Sequence, residues 1–266
     1  MADILLCNDD GWESAGLNAL AKEIDKINNS NLVIYAPSCE KSWISKMISR
    51  YEEIFVDNVS FPSDIEAYSV SGSPSDSCLI GAANILKNSG KKPDLIISGI
   101  NIGANMGLSF ILSSGTIAVS MEAAMMNIPS FSISLFFKRK DFTKKKITKI
   151  SSFKKAAEFA RIMAEKILKK GNYPSGVDFL VVNVPFKAKE LDYEITRVAK
   201  IHYGTLFKKY KDTSYVFDDK ISFIDFKFDL EKNSDVYTIL TKNKISVSPI
   251  SLDITGDLQN LKDYLD

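Results

Sequence analysis

The chain has 266 residues, 45% hydrophobic and 25% charged, with 34 Lys and Arg against 33 Asp and Glu. That composition excludes a disordered or fibrous chain and gives room for one large α/β domain with an appendage. A net charge of +1 argues against a protein that coats nucleic acid, and three cysteines (Cys7, Cys39, Cys78) with one histidine (His202) are too few for a disulfide framework, a zinc site or histidine-based catalysis.

The N-terminus reaches an acidic residue, Asp3, before any secretory apolar core can form, so a cytoplasmic protein is expected. Ile4-Leu5-Leu6-Cys7 reads as a first strand, stopped by the turn formers Asn8-Asp9-Asp10-Gly11. Leu17, Leu20, Ile24 and Ile27 recur at helical spacing, which predicts an amphipathic helix over 15–27. Leu32–Ala36 is a second strand ended by Pro37, and Leu95–Ile97, Phe131–Leu135 and Phe179–Val184 are three more. Helices are expected near 76–88, capped by Ser75 or Asp76, and at 115–127 and 152–170. Strands apolar on both faces and separated by helices predict a Rossmann-like α/β fold: a mostly parallel sheet covered on both sides. The stretch Ile96–Phe137 has Glu122 as its sole charge, but Gly, Asn, Ser and Pro129 interrupt it, so no membrane span is expected.

Residues 138–170 carry thirteen Lys and Arg against three Asp and Glu. A solvated face accounts for this excess, and guidance of an anionic substrate is the functional alternative. Aromatics are sparse among the lysines, which disfavours specific nucleic-acid binding. The strand–helix alternation fades after about 190. Division into a core (1–190) and a C-terminal extension (191–266) follows, the extension having a β-hairpin over Ser214–Leu230 and a closing helix near 256–265.

In an open parallel sheet, ligands sit beyond the carboxyl ends of the strands. Three segments there draw attention. Adjacent carboxylates at Asp9 and Asp10 repel unless a cation or proton neutralises them, and Mg²⁺ suits one or two carboxylates completed by neutral oxygens. A plain turn fits the same residues; its place at the first strand tip favours a site. The uncharged loop Ser98–Gly107, rich in Gly and Asn, can bring backbone N–H groups such as those at Gly103 and Asn105 to an anion. Ser114-Gly115-Thr116 resembles a helix start whose amides and dipole suit phosphate. In the third segment, Ala36–Trp43, Ser42 offers a neutral oxygen and Lys41 or Lys46 a positive charge; alone it is uninformative. No Walker A motif, no dinucleotide fingerprint after the first strand and no G-x-S-x-G elbow occur, which leaves metal-assisted chemistry on an anionic substrate.

The ordered set Asn8-Asp9-Asp10-Gly11, Ala36-Pro37…Ser42, Gly72-Ser73-Pro74-x-Asp76, Pro93–Gly107, Ser114-Gly115-Thr116…Glu122, Val182-Asn183-Val184-Pro185 and Ser246–Pro249 resembles the SurE (survival protein E) family. The resemblance implies a phosphomonoesterase using one divalent ion per subunit, Mg²⁺ or Mn²⁺, to hydrolyse nucleoside 5′- and 3′-monophosphates. Broad acid phosphatase or exopolyphosphatase activity, or a non-catalytic nucleotide-binding regulator, are the alternatives. It also implies metal ligands at Asp9, Asp10, Ser42 and Asn101, the two aspartates doubling as catalytic groups. Asn8, Gly103, Asn105, Ser114, Gly115 and Thr116 are expected to contact the phosphate of a small-molecule substrate. A homodimer or tetramer built through the C-terminal extension is implied as well. The chain departs from the family pattern at Trp43, where glycine is usual, at Ser113, where tyrosine is usual, and at Ser77, where cysteine is usual. Trp12, directly after the acidic turn, fits a core position and a base-stacking one equally.

Overall fold

The computed structural model describes residues 1–218 and 231–265. Among these the strands are β1 (Ala2–Cys7), β2 (Ser30–Pro37), β3 (Val56–Asn58), β4 (Glu66–Val70), β5 (Leu95–Ile102), β6 (Ser130–Phe136), β7 (Phe179–Pro185), β8 (Tyr193–Ile195), β9 (Phe207–Lys211), β10 (Ser214–Phe217) and β11 (Ile245–Ile250). The helices are α1 (Ala15–Ile24), α2 (Pro74–Ser89), α3 (Leu108–Ser113), α4 (Gly115–Met125), α5 (Lys144–Ile147), α6 (Lys154–Lys170), α7 (Asp235–Tyr237) and α8 (Leu258–Leu265). The main sheet runs β3-β4-β2-β1-β5-β6-β7-β11-β8. Its pairings from β4 to β7 are parallel, while β3 and β11 each run antiparallel to a neighbour.

The apolar runs are strands because both of their faces find cover. Ile4 and Leu6 pack with Leu17 and Leu20 of α1 and Phe159 of α6. Leu5 and Cys7, one step out of phase, pack with Cys78 and Ala82 of α2 and Val119 of α4. Side chains of a strand alternate between faces, so an unbroken apolar run feeds two cores. Each fully buried Leu or Ile contributes about 1.5–3 kcal/mol.

All five apolar runs lie within strands, and the four helices expected beyond the first strand tips each form within a few residues of their expected bounds. Helix α1 stops at Ile24, short of the expected 27, and Ile27 still packs on the core. Helix α2 begins two residues early, with Ser73 rather than Ser75 or Asp76 as its cap. The Ser73 hydroxyl accepts the Asp76 N–H at 3.0 Å, and Asp76 Oδ2 accepts the Ser73 N–H at 2.8 Å. Pro74 then takes the first helical position, where its missing N–H costs nothing.

The C-terminal hairpin is β9–β10, which starts earlier than the expected Ser214–Leu230; residues 219–230 lie outside the described residues. From residue 191 onward the chain also supplies β8 and β11 to the main sheet, and α8 closes it without a buried residue. Among the described residues no helix is long and apolar enough to cross a membrane.

Candidate active site

From β1 the chain moves outward to β2 and β4, and then crosses back to β5 on the other side. The strand order therefore reverses between β1 and β5, which opens a crevice at their carboxyl ends. Asp9 and Asp10 follow β1 directly, Asn101 lies at the end of β5, and Ser42 sits in the loop after β2. Helix α4 aims its N-terminus at the same place. Gly115 is required there: a Cβ at this position would stand 2.9 Å from Asp9 Cβ and 3.0 Å from Pro74 Cγ.

Asp9 is buried and accepts from Thr116 twice, from the backbone N–H at 3.0 Å and from the hydroxyl. Burial pushes its carboxyl up from 3.8 to about 6, against those two donors, and the charge of Glu40 adds to the rise. Asp10 is partly buried, and its Oδ2 accepts the Ile102 N–H at 3.0 Å. Desolvation first, and then the adjacent Asp9 charge, hold the Asp10 carboxyl well above the usual range. The charged neighbours acting on this pair are themselves acidic. Two carboxylates so placed resist being ionised together unless a proton or a cation neutralises them, the condition that a hard cation relieves.

Neutral oxygens share the cavity that Asp9 lines. Asn101 donates its Nδ2 to Gly103 O at 2.7 Å, which turns its Oδ1 toward Thr116 Oγ1 at 3.3 Å. Ser42 is exposed, and its hydroxyl donates to Glu40 Oε1 at 2.7 Å. Asp9, Ser42, Asn101 and Ser114 line one cavity of about 650 Å³. An all-oxygen donor set with two carboxylates fits Mg²⁺ or Mn²⁺ rather than a soft ion. Among the described residues no three His, Cys, Asp or Glu side chains converge, so a cation held by Asp9 and Asp10 would need neutral oxygens as well.

Other expected contacts are arranged differently. Asn8 is fully buried, and its amide donates to Gly11 O at 2.8 Å and Ser14 Oγ at 2.9 Å, so it shapes the acidic turn from behind. The N–H groups of Gly103 and Asn105 do not reach for an anion. Gly103 donates to Leu135 O at 3.1 Å and Asn105 to Asn183 Oδ1 at 2.8 Å, since backbone packed against the sheet must satisfy its donors inside. Asn105 also donates its side-chain amide to Ser134 Oγ at 2.9 Å. In α4, Ala118 N–H goes to Ser114 O, Ile117 N–H to Ser114 Oγ and Thr116 N–H to Asp9; Gly115 N–H follows Ser114, the residue at the head of α4 that lines the cavity. Lys46, expected near phosphate, instead pairs with the buried Glu122 at 2.6 Å and ties the Ser42 loop to α4. Trp12 packs on the core.

Several lining residues were not singled out by the sequence: Phe110, Arg139 and Phe142, together with Ile201 and Val236 from the C-terminal segment. Ile201 and Val236 reach the cavity because Asp235, buried at the start of α7, accepts from Gly107 N–H at 2.8 Å and Ala199 N–H at 2.9 Å, clamping the tail to the glycine-rich loop. No local pattern in the sequence marks such a long-range contact.

Residues 4–205 match the family model described as Survival protein SurE. The chain belongs to the SurE family. Among SurE relatives, the 5'-nucleotidase SurE of Methanocaldococcus jannaschii is 36% identical over 98% of this chain and 96% of its own length. That of Methanothermobacter thermautotrophicus is also 36% identical, over 79% of this chain and 78% of its own. The crystal structure of the SurE protein from Aquifex aeolicus superposes with a TM-score of 0.76 at 28% identity, covering 99% of this chain and all of the other. The SurE fold thus extends through the C-terminal segment as well as the matched core.

Proposed function

We propose that this SurE-family chain is a divalent-cation-dependent phosphomonoesterase that hydrolyses nucleoside 5′-monophosphates, and 3′-monophosphates with them, to nucleoside and phosphate. The observation that carries the reading is Asp9, with Asp10 beside it in sequence, lining a cavity that Ser42, Asn101 and Ser114 line as well. The full-length likeness to proteins named 5'-nucleotidase SurE supports the substrate class.

Asp9, Asp10, Ser42 and Asn101 would hold one Mg²⁺ or Mn²⁺ per subunit. When bound, such a cation neutralises phosphoryl oxygens and acidifies water. Gly115 N–H, the α4 dipole and the Ser114 hydroxyl hold the remaining phosphate oxygens, where charge builds in the transition state. Ser114 Oγ already accepts from Ile117, so its proton is available to a ligand. Asp9, the member of the pair that lines the cavity, accepts the proton of the attacking water. The buried Thr116 contacts keep that carboxylate aimed.

A second reading, attack on longer anionic chains, rests on one observation. Arg139 lines the main cavity, and Lys138 and Lys140 line a smaller one of about 100 Å³ that shares Phe136 with it. We assign assembly of two or more copies to the C-terminal segment, where Tyr210 and Tyr215 of the hairpin and Leu258, Leu261 and Leu265 of α8 are exposed.

Phosphate release from 5′-AMP, 3′-AMP and polyphosphate, with Mn²⁺ and then with EDTA, tests the reading. Expected is cation-dependent release from the mononucleotides, abolished by EDTA. Release untouched by EDTA overturns the cation; release from polyphosphate alone overturns the nucleotide.

A further inference from the structure

The cavity is larger than a phosphate and a cation need. Its volume of about 650 Å³ falls within the ~300–1,000 Å³ typical of sites for whole small molecules. Away from the carboxylates, its wall is aromatic. Trp43, next in sequence to Ser42, lines it together with Phe110 of α3, their ring centroids 6.0 Å apart at 63°. Tyr203 and Phe217 close on Trp43 from the C-terminal segment, at 5.6 and 5.8 Å. Three separate stretches of chain thus converge on one indole, which is nevertheless 43% exposed.

The backbone makes the same point independently. Trp43 sits at φ +64°, in the left-handed region that favours glycine. A bulky residue held there is retained against its own conformational preference, and ring contacts from three sides fix its position. The resulting surface is aromatic, planar and within one residue of a proposed cation ligand. The chemistry that recognises such a surface is a flat π system carried by a phosphate ester, the nucleobase of a mononucleotide.

We infer that Trp43, cornered by Phe110, is a specificity-determining residue on which the nucleobase of the substrate stacks, giving preference to purine over pyrimidine monophosphates. The inference rests on the nucleotidase reading and adds its base selection. Stacking reads ring area rather than hydrogen-bonding edges. AMP and GMP are therefore expected to be handled alike, and both better than CMP or UMP.

The test compares kcat/KM for 5′-AMP, 5′-CMP and ribose 5-phosphate in wild type, Trp43→Gly and Trp43→Phe. Glycine is suited to the observed φ, so Trp43→Gly removes the ring without straining the loop; Trp43→Phe keeps an aromatic face. The AMP to ribose 5-phosphate ratio is expected to fall about tenfold in Trp43→Gly, and the AMP to CMP ratio to move toward unity. Trp43→Phe is expected to retain most of both. A Trp43→Gly ratio within twofold of wild type overturns the proposal. A second measurement needs no turnover: in a Trp12→Phe background, where Trp43 is the remaining tryptophan, adenosine should quench the emission saturably. An unchanged emission overturns the stacking. If wild type hydrolyses neither AMP nor ribose 5-phosphate, the nucleotidase reading fails, and the adenosine titration still decides whether a base binds Trp43.

Discussion

The two sides of the cavity are built by different means. At the tips of β1 and β5, Asp9, Asn101 and Thr116 form one linked set, buried or nearly so and backed by strands whose neighbours cover both faces. Across from them the loop after β2 carries Ser42 and Trp43 at the surface, held by a few fastenings. These are the Lys46–Glu122 pair, Ser45 N–H to Ser113 O at 3.0 Å, the Ser45 hydroxyl to Leu112 O at 2.7 Å, and the Ser73 hydroxyl to Met47 O at 2.6 Å. The sheet core fixes the first side, and displacing it would mean breaking that core. The second side can change its residues at small cost to the fold. Such a division suits a site in which phosphate chemistry stays constant while selection of the leaving nucleoside varies.

Changes on the strand-tip side should be the most severe. Asp9→Asn is expected to lower cation-dependent phosphate release roughly 10³-fold, because it removes half of the paired charge and the proton acceptor together. Its thermal stability without metal should hold or rise, since burial already disfavours the Asp9 charge. Steady-state assays and a melting curve read both effects. Near-normal turnover would place the site elsewhere. Gly115→Ala is expected next, with kcat reduced on the order of tenfold to a hundredfold as the new methyl group pushes α4 off Asp9.

Loop changes should act on binding. Glu122→Gln or Lys46→Met loosens the Ser42 segment, so KM is expected to rise several-fold with kcat within about threefold. Stability should drop by about 1–3 kcal/mol, between the exposed-pair and buried-pair ranges because Lys46 is about one-third exposed. A fall in kcat with KM unchanged would instead place the pair in the chemistry.

Protons should compete with the cation. Without metal the Asp9 carboxyl is pushed up to about 6, so the folded protein takes up a proton at a pH where the unfolded chain does not. That contribution to stability is fully present below the ordinary value of 3.8 and is lost as pH rises through about 6. Cation binding requires the ionised form, so the stabilisation conferred by Mn²⁺ should grow between pH 5 and pH 7.5. Melting curves with and without Mn²⁺ across that range measure it; a gain that shrinks with rising pH would contradict the assignment of Asp9.

Much of the architecture was legible because long apolar runs and helical spacing are local signals. The main-sheet strands that escaped notice lack them: β3 is three exposed residues, β8 pairs only at the sheet edge, and β4 and β11 interleave Ser or Glu with their apolar residues. The acidic pair was legible because adjacent carboxylates after an apolar strand are electrostatically costly. Asn8 and Asn105 part company for a physical reason: Asn8 is buried behind the turn, while Asn105 lines the cavity although its backbone N–H is bonded inside. A carboxamide that suits a phosphate suits a turn or a neighbouring hydroxyl equally well, and only the fold decides where its hydrogen bonds go. Glu40, which raises both aspartates, lies in a loop, and Arg139, which lines the cavity, begins a single 3-10 turn, and no periodicity reveals the course of either.

The claim on which the rest depends is that β1's paired carboxylates hold a cation in company with Ser42 and Asn101. Anomalous diffraction from a crystal soaked in manganese addresses it directly. The expected result is one peak per subunit, coordinated by oxygens of Asp9, Asp10, Ser42 and Asn101. Manganese-dependent turnover in solution with no density among those four residues would contradict it.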